Sequence, residues 1–237
     1  MTLGLAAAAE AIGTALLLAI VVGSGIMGER LAQGNAAVAL LANSLATGAG
    51  LYALIGIFGP VSGAHFNLVV SGVSVCDGRL SRHHAIVYIL AQISGAFGGV
   101  AAAHAMFGLP IVQVSAHMRP TLGEGLGEFV ATFGLVLVIS LALRFRIEAI
   151  PMLVAAFITS AYWFTSSTSF ANPAVTFARA MTDTFAGISP SNVPLFVGGQ
   201  ITGAVAAALF GRWLLGSMKE NDMDEMERPG NNNHVSR

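Results

Sequence analysis

Six long runs of apolar residues constrain this chain more than any other feature of its sequence. An α-helix needs about 20 mostly apolar residues to cross the hydrocarbon core of a bilayer. The runs are Leu3–Met27, Asn35–Ile57, His84–Phe107, Leu126–Leu143, Ile147–Thr165 and Val193–Gly216. They predict an all-α membrane protein with six transmembrane helices.

Few charges accompany these runs. Charged residues make up 10% of the chain, whereas a soluble domain carries about 25%. The net charge of −1 gives no reason to expect nucleic acid or another anionic partner. The single cysteine, Cys76, excludes an intramolecular disulfide and a thiolate-rich metal site. No basic segment precedes Leu3, so we expect no cleavable signal peptide and take the first helix as the insertion signal.

The composition changes after the last run. Residues 1–217 are expected to form a single transmembrane channel domain. Residues 218–237 carry alternating charges and three consecutive asparagines, a composition too polar to build a packed core. This segment is predicted to be a disordered cytoplasmic tail.

Basic residues predict the orientation of the helices. Lys and Arg concentrate in the cytoplasmic loops of membrane proteins. One set of loops carries most of them, namely Arg79, Arg82, Arg144, Arg146, Arg212 and Lys219, and the opposite loops carry Arg30 and Arg119. The first set is therefore predicted to be cytoplasmic, together with both termini of the chain.

Two shorter segments lie between the spans. Asn172 followed by Pro173 is a helix-start signal, since Asn caps a helix and Pro loses no hydrogen bond at its first position. The stretch from Ala174 to Phe185 offers about three turns of helix, which is too short to span a bilayer. Asn67 opens a similar apolar segment after a Gly-containing approach. Both segments are predicted to be re-entrant half-helices, which are tolerated at membrane depth only inside protein or facing water.

The two halves of the chain repeat each other. Polar residues recur in the same order, as Glu10 with Glu128, Asn67 with Asn172, and Gln92 with Gln200. Three spans are an odd number, so the second copy lies upside down, giving an inverted repeat of about 3–107 and 121–216. The half-helix N-termini then meet near the midplane, where their positive dipole ends repel cations and their Asn side chains orient neutral solutes.

These residues resemble those of the aquaporin, or major intrinsic protein, family over residues 3–216. The matching motifs are Ser-Gly-Ala-His-Phe-Asn at 62–67, Asn-Pro-Ala at 172–174, and Glu10 and Glu128 inside apolar spans. The resemblance implies an aquaporin-like bundle of six transmembrane helices and two half-helices. It also implies a pore in each subunit, a homotetramer and no cofactor.

The chain departs from the family pattern at two places. The first box reads Asn67-Leu68-Val69 where the family usually has Asn-Pro-Ala, while the second keeps Asn172-Pro173-Ala174. The position of the family's filter arginine, three residues after the second Asn, holds Val175. Other expected filter positions are Thr47 in span two, Ser169 before the second box, and Ala161 or Tyr162 in span five, with Ser160 as a further alternative. A filter of Val, Thr and Ser is expected to be wide.

Four further residues have alternative roles. Arg179, one helical turn after Val175, either restores a positive charge at the filter or anchors loops at the end of the half-helix. His65 either lines the cytoplasmic vestibule or packs in its loop. Glu10 and Glu128 are interpreted as acceptors that support the re-entrant loops, with a proton relay as the alternative.

The residues therefore favour a passive channel for small uncharged solutes over an enzyme, because no nucleophile–base set, phosphate loop or metal constellation is present. The missing filter arginine and Thr47 also resemble a bacterial aquaglyceroporin-like subgroup encoded beside arsenic-resistance genes. That resemblance implies passage of glycerol and other polyols, trivalent arsenic acid, methylated arsenicals and water, and a location in the bacterial inner membrane. The alternatives are a narrow water channel, a secondary transporter that uses Glu10 and Glu128, and a non-conducting structural protein closed by Leu68 and Val69.

Overall fold

A computed structural model of the chain describes residues 2–227, with side chains for residues 2–216. The described residues form eight α-helices and no strand. The helices are α1 (Leu3–Ala32), α2 (Ala36–Ser62), α3 (Leu68–Cys76), α4 (Arg82–Met106), α5 (Leu122–Phe145), α6 (Ile150–Phe164), α7 (Pro173–Arg179) and α8 (Val193–Glu227). Short 3-10 turns at Ile147–Ala149 and Pro190–Asn192 precede α6 and α8.

Six of the described helices are long and apolar enough to cross a membrane, which confirms the six predicted spans. Several of them extend beyond the apolar run by a few residues, whereas α6 lies within its run. At the start of α5, for example, Thr121 and Glu124 form a reciprocal capping box. The apolar run begins only at Leu126, so hydropathy alone places this helix start too late.

The last helix is longer than its apolar run. α8 continues to Glu227, ten residues into the segment that was expected to be disordered from residue 218. Met, Lys and Glu dominate this stretch and have high helix propensity, so the helix persists after the apolar residues end. Residues 228–237, the rest of the predicted tail, lie outside the described residues.

The two half-helices are short. α3 has nine residues and α7 has seven, so neither can span the bilayer. The expectation that the second half-helix runs to Phe185 is wrong, because α7 ends at Arg179. Its last carbonyls accept long-range bonds instead, with Ile188 N–H donating to the Arg179 oxygen and Ser115 N–H to the Ala180 oxygen. These loop partners take the acceptors that a longer helix would need.

The chain direction defines two faces of the bundle. We call the side that carries Arg79, Arg144 and Arg212 the basic face, and the side that carries the long connection 107–121 the loop face. α3 leads from the bundle centre to the basic face, and α7 leads from the centre to the loop face.

Glycines allow the closest helix pairs, α1 with α4 and α5 with α8. A Cβ on Gly95 of α4 would collide with the Ala11 carbonyl of α1, and one on Gly203 of α8 would collide with the Phe129 carbonyl of α5. Close backbone contact of this kind drives helix association in lipid, where apolar burial gives little net attraction. The two pairs occupy equivalent places in the two halves of the chain.

The glutamates of α1 and α5 hold the two re-entrant loops. Glu10 accepts hydrogen bonds from the backbone N–H groups of His65 at 2.9 Å and Phe66 at 2.7 Å. Glu128 likewise accepts from Phe170 and Ala171, both at 2.8 Å. A glutamine completes each set, since Gln92 donates to Glu10 at 2.7 Å and Gln200 donates to Glu128 at 2.6 Å. Each carboxylate is fully buried and joins a span to the loop before a half-helix.

These contacts stabilise an unfavourable backbone. In each loop the residues one and three positions before the capping Asn have positive φ without being glycine: Ala64 and Phe66 in one, Ser169 and Ala171 in the other. Such residues cost on the order of 1–3 kcal/mol each and persist only where the surroundings fix them. The charge-assisted hydrogen bonds to Glu10 and Glu128 hold the two loops in this conformation.

The close glycine contacts predict that a larger side chain at such a position disturbs helix packing. Gly95→Ala should push α1 and α4 apart and destabilise the protein by about 1–3 kcal/mol. Gly98→Ala is the matched control, because a Cβ there meets nothing within 4 Å. The thermal unfolding midpoint in detergent, followed by tryptophan fluorescence, measures both. Equal midpoints for the two variants would contradict the proposed close contact.

The contacts of Glu128 predict that removing its carboxylate destabilises the loop before α7. Glu128→Gln places an amide donor against backbone donors, so at least one buried N–H loses its acceptor at a cost of about 2 kcal/mol or more. We expect a lower unfolding midpoint and reduced solute flux. Glu148→Gln serves as the control, since that side chain is exposed. A Glu128→Gln protein as stable as the control would show that the carboxylate does not support the loop.

Candidate solute pathway

Two asparagines meet at the centre of the bundle and connect the half-helices. The side-chain oxygen of Asn67 caps α3 by accepting from Val69 N–H, and that of Asn172 caps α7 by accepting from Ala174 N–H. The amide nitrogen of Asn67 donates to the Ala171 carbonyl at 2.8 Å. The amide nitrogen of Asn172 donates in turn to the Phe66 carbonyl at 2.7 Å. Each Asn thus begins its own helix and holds the opposite loop.

A cavity of about 200 Å³ passes both asparagines and reaches from Arg79 on the basic face to Arg179 on the loop face. One wall is apolar and comes from the spans, with Leu17, Val21, Leu51, Leu135, Ile139 and Val154 among its residues. The other wall is formed by the re-entrant loops, at 63–67 and 169–172.

The structure brings most of the predicted site residues to this cavity. The lining includes His65, Asn67, Asn172 and the filter candidates Thr47, Tyr162, Ser169, Val175 and Arg179. Four of the predicted midplane residues, Leu68, Val69, Pro173 and Ala174, are not part of the lining. They form the first turns of α3 and α7, where Val69 and Ala174 are buried among other apolar side chains.

The span-five candidates separate by helix phase. Tyr162 lines the cavity, whereas Ala161 is fully buried and absent from the lining. Ser160 is exposed on the outside of the bundle and donates to the Ala156 carbonyl of its own helix. Neighbouring positions on a helix point about 100° apart, so only one of the three can face the cavity.

Three residues with hydroxyl groups, Thr47, Tyr162 and Ser169, belong to the cavity lining. Thr47 Oγ1 and Tyr162 OH lie 3.3 Å apart and share a hydrogen bond. Ser169 is 97% buried and belongs to the cavity lining. Its Oγ has no hydrogen-bond partner within the described part of the chain. Hydroxyls both donate and accept hydrogen bonds, so these three can replace part of the hydration shell of a neutral polar solute. Val175 is buried, belongs to the same lining and adds no charge.

Arg179 supplies the positive charge at the loop-face end of the cavity. Its guanidinium carbon lies 3.4 Å from the centre of the Phe170 ring, and its Nε donates to the Ala186 carbonyl. Within the described part of the chain its two Nη groups make no hydrogen bond. The two roles weighed for Arg179 stay open, because its Nε contacts a loop and the residue also belongs to the cavity lining.

Arg119 stabilises the same region from the connection 107–121, a role that its sequence context did not indicate. Its Nε donates to the Gly187 carbonyl at 3.1 Å and its Nη1 to the Ser167 carbonyl at 3.3 Å. Its guanidinium also faces the Phe170 ring at 5.2 Å. Burial lowers the pKa of Arg119, and the nearby Glu124 carboxylate partly offsets this. The residue joins three segments at the loop face.

The basic-face end of the cavity is also polar. His65 Nδ1 lies 3.0 Å from Ser71 Oγ, and its ring packs edge-on against Tyr88. Arg79 lies at the mouth and pairs with Asp77 at 2.7 Å, while Arg212 of α8 contacts the other Asp77 oxygen at 3.0 Å. Among the described residues, no group of three or more His, Cys, Asp or Glu is arranged to hold a metal ion.

Comparison with known proteins identifies relatives of this architecture. The chain is 53% identical over 207 residues to aquaglyceroporin AqpS of Rhizobium meliloti (strain 1021), covering 87% of this chain and 88% of the relative. It is 33% identical over 125 residues to glycerol uptake facilitator protein-like 6 of Lactiplantibacillus plantarum, covering 52% and 54%. The X-ray structure of the aquaglyceroporin from Plasmodium falciparum has the same fold, with a TM-score of 0.72 at 19% identity over 92% of this chain and 99% of that one.

The sequence model of the major intrinsic protein family matches residues 2–149. This match covers more than half of the chain, and it agrees with the high identity to a full-length relative. The predicted resemblance, the fold class and the absence of enzyme activity are thereby confirmed. The chain belongs to the major intrinsic protein family, whose members are passive membrane channels.

Proposed function

We propose that the protein is a wide, passive and bidirectional channel for small uncharged solutes. The observation that carries this proposal is the loop-face end of the cavity, where Val175 occupies the position expected for an arginine. The hydroxyls of Thr47, Tyr162 and Ser169 surround the same space. A neutral, hydroxyl-rich mouth favours solutes that exchange hydrogen bonds with water for hydrogen bonds with the pore.

Glycerol and related polyols fit this chemistry best, together with water. The 53% identity to a protein described as an aquaglyceroporin supports the same solute class. Trivalent arsenic acid is uncharged at neutral pH and similar to a polyol in size and hydrogen bonding, so we include it in the proposal, with methylated arsenicals as further candidates. The described residues of the cavity lining include no cysteine, so arsenic would pass by shape and hydrogen bonding alone.

Electrostatics at the centre of the cavity favour neutral solutes. The N-termini of α3 and α7 meet at Asn67 and Asn172, and helix N-termini carry partial positive charge. Arg179 adds a positive charge at the loop-face end, and Arg79 lies at the other end paired with Asp77. The described residues of the lining include no carboxylate. Cations, including protons, therefore meet a positive field at the centre and at the loop-face end of the proposed pathway.

The buried glutamates support a channel over a coupled transporter. A transporter of this architecture would use Glu10 or Glu128 to bind an ion or a proton. Both carboxylates are fully buried behind the loops and accept hydrogen bonds from loop N–H groups and a glutamine. Neither belongs to the cavity lining, so neither is positioned to meet a passing ion.

Three further features belong to the same proposal. The exposed apolar side chains of the six spans suit a lipid bilayer. We propose that the basic face is cytoplasmic in the bacterial inner membrane, with both termini on that side. We also propose a homotetramer, as the family resemblance implies, with one pathway in each subunit.

Stopped-flow light scattering on proteoliposomes tests the proposed function. We expect fast, non-saturating flux of water, glycerol and arsenous acid, with no dependence on a proton gradient. Fast water without glycerol would favour a narrow water channel, in which Tyr162 and Arg179 constrict the mouth. Saturable, proton-dependent flux would favour a transporter, and no flux at all would favour a structural protein.

The filter position predicts a size-selective variant. Val175→Arg adds a long charged side chain to the hydroxyl-rich mouth and should reduce glycerol flux about tenfold more than water flux. Val175→Leu is the control for added bulk without charge, and we expect it to have a smaller effect. The glycerol-to-water permeability ratio of each variant is the measurement. An equal loss of both fluxes in Val175→Arg would contradict the placement of Val175 at the filter.

A further inference from the structure

His104 is a buried polar residue that the proposed pathway does not use. It lies at the loop-face end of α4, is fully buried and does not line the cavity. Its Nδ1 lies 2.9 Å from the Ile111 carbonyl, and its Nε2 lies 2.7 Å from Thr182 Oγ1. The ring thus joins α4 to the connection 107–121 and to the segment that follows α7.

The hydrogen bonds of His104 have a defined direction. A carbonyl oxygen only accepts, so Nδ1 carries the proton and Nε2 of the neutral ring accepts from the Thr182 hydroxyl. Thr182 Oγ1 is then free to accept from Thr184, whose hydroxyl lies 3.0 Å away. The chain of donors runs from Thr184 through Thr182 and His104 to Ile111. Every group in it is satisfied, which is what a buried polar network needs to fix a single geometry.

This network leads to the guanidinium of Arg179. The Thr184 carbonyl accepts from Gly187 N–H at 2.8 Å, closing a tight turn over residues 184–187. The Ala186 carbonyl inside that turn accepts the Nε bond of Arg179. Gly187 allows the turn to lie close to its neighbours, since a Cβ there would collide with the Thr182 carbonyl. The position of the turn therefore determines where the unpaired Nη groups of Arg179 lie.

We propose that His104 is a positioning residue for the loop-face mouth. Through Thr182 it fixes the segment 180–188, and through the Ala186 carbonyl it fixes Arg179 at the edge of the cavity. We call the contact between His104 and Thr182 the latch. Its effect on solute selectivity rests on the proposed function. Loss of the latch frees the turn, lets the Arg179 side chain move away from the cavity and widens the mouth.

Substitution of Thr182 tests the latch with little change of volume. Thr182→Val removes the hydroxyl, Thr182→Ser keeps it, and Thr202→Val removes a hydroxyl that only bonds to its own helix on the lipid-facing side of α8. The full chain in proteoliposomes is assayed for water, glycerol and erythritol flux. Hydrogen–deuterium exchange of segment 180–188 is measured on the same proteins, and Thr182→Ala replaces Thr182→Val if the latter does not fold.

Because one hydrogen bond changes an equilibrium severalfold, we expect Thr182→Val to raise the ratio of erythritol to water flux about threefold and to speed exchange of segment 180–188. Thr182→Ser and Thr202→Val should behave like the wild-type protein. Adding Thr182→Val to Arg179→Met should change the ratio no further, because both changes then remove the same constraint.

Two results would overturn the latch. One is an unchanged flux ratio in Thr182→Val with unchanged exchange, and the other is a full additive effect in the double variant, which would mean that Thr182 acts independently of Arg179. Absence of glycerol flux in the wild-type protein would instead overturn the proposed function. In that case the hydrogen–deuterium exchange and water-flux measurements would still test whether the latch holds segment 180–188.

Discussion

Backbone groups inside a membrane must find hydrogen-bond partners within the protein, and the two re-entrant loops of this chain depend on that requirement. The N–H groups just before Asn67 and Asn172 lie outside any helix, so no carbonyl of a regular helix accepts from them. Glu10 and Glu128 supply the acceptors from neighbouring spans. A carboxylate suits this task better than a neutral side chain, because it offers acceptors only and makes stronger bonds. The cost of burying each charge is offset by the several donors directed at it.

The loops in turn determine the centre of the cavity. Because each Asn caps its own half-helix and donates to the opposite loop, neither half can move without disturbing the other. This reciprocity makes Pro after the first Asn dispensable. Asn67 caps α3 in the same way as Asn172 caps α7, although Leu68 follows the first and Pro173 the second. The glycine contacts between α1 and α4, and between α5 and α8, set the distance at which the glutamates reach the loops.

The predictable parts of this structure are those with a local signal. Apolar run length gave the six spans, and Asn172-Pro173 gave the start of α7. The end of α7 was not predictable, because the carbonyl of Arg179 accepts from Ile188 in the following loop and that of Ala180 accepts from Ser115 in the connection 107–121. The choice between Ala161 and Tyr162 depends on the rotation of α6, which a short apolar run does not specify. His104 has no motif around it, and only the fold brings Thr182 and Ile111 to its ring.

In the proposed pathway, the chain separates two tasks that one arginine performs at the expected filter position. The side chain of Val175 at the mouth is short and uncharged, so this position limits the size of the solutes that can pass. Arg179 keeps a positive charge one turn further along α7, which opposes cations. A buried arginine without a carboxylate partner in contact is costly, and here Phe170 and the Ala186 carbonyl take the place of that partner. Replacing Val175 with another uncharged residue then changes the width of the mouth alone, whereas changing Arg179 or its supporting turn alters both the charge and the width.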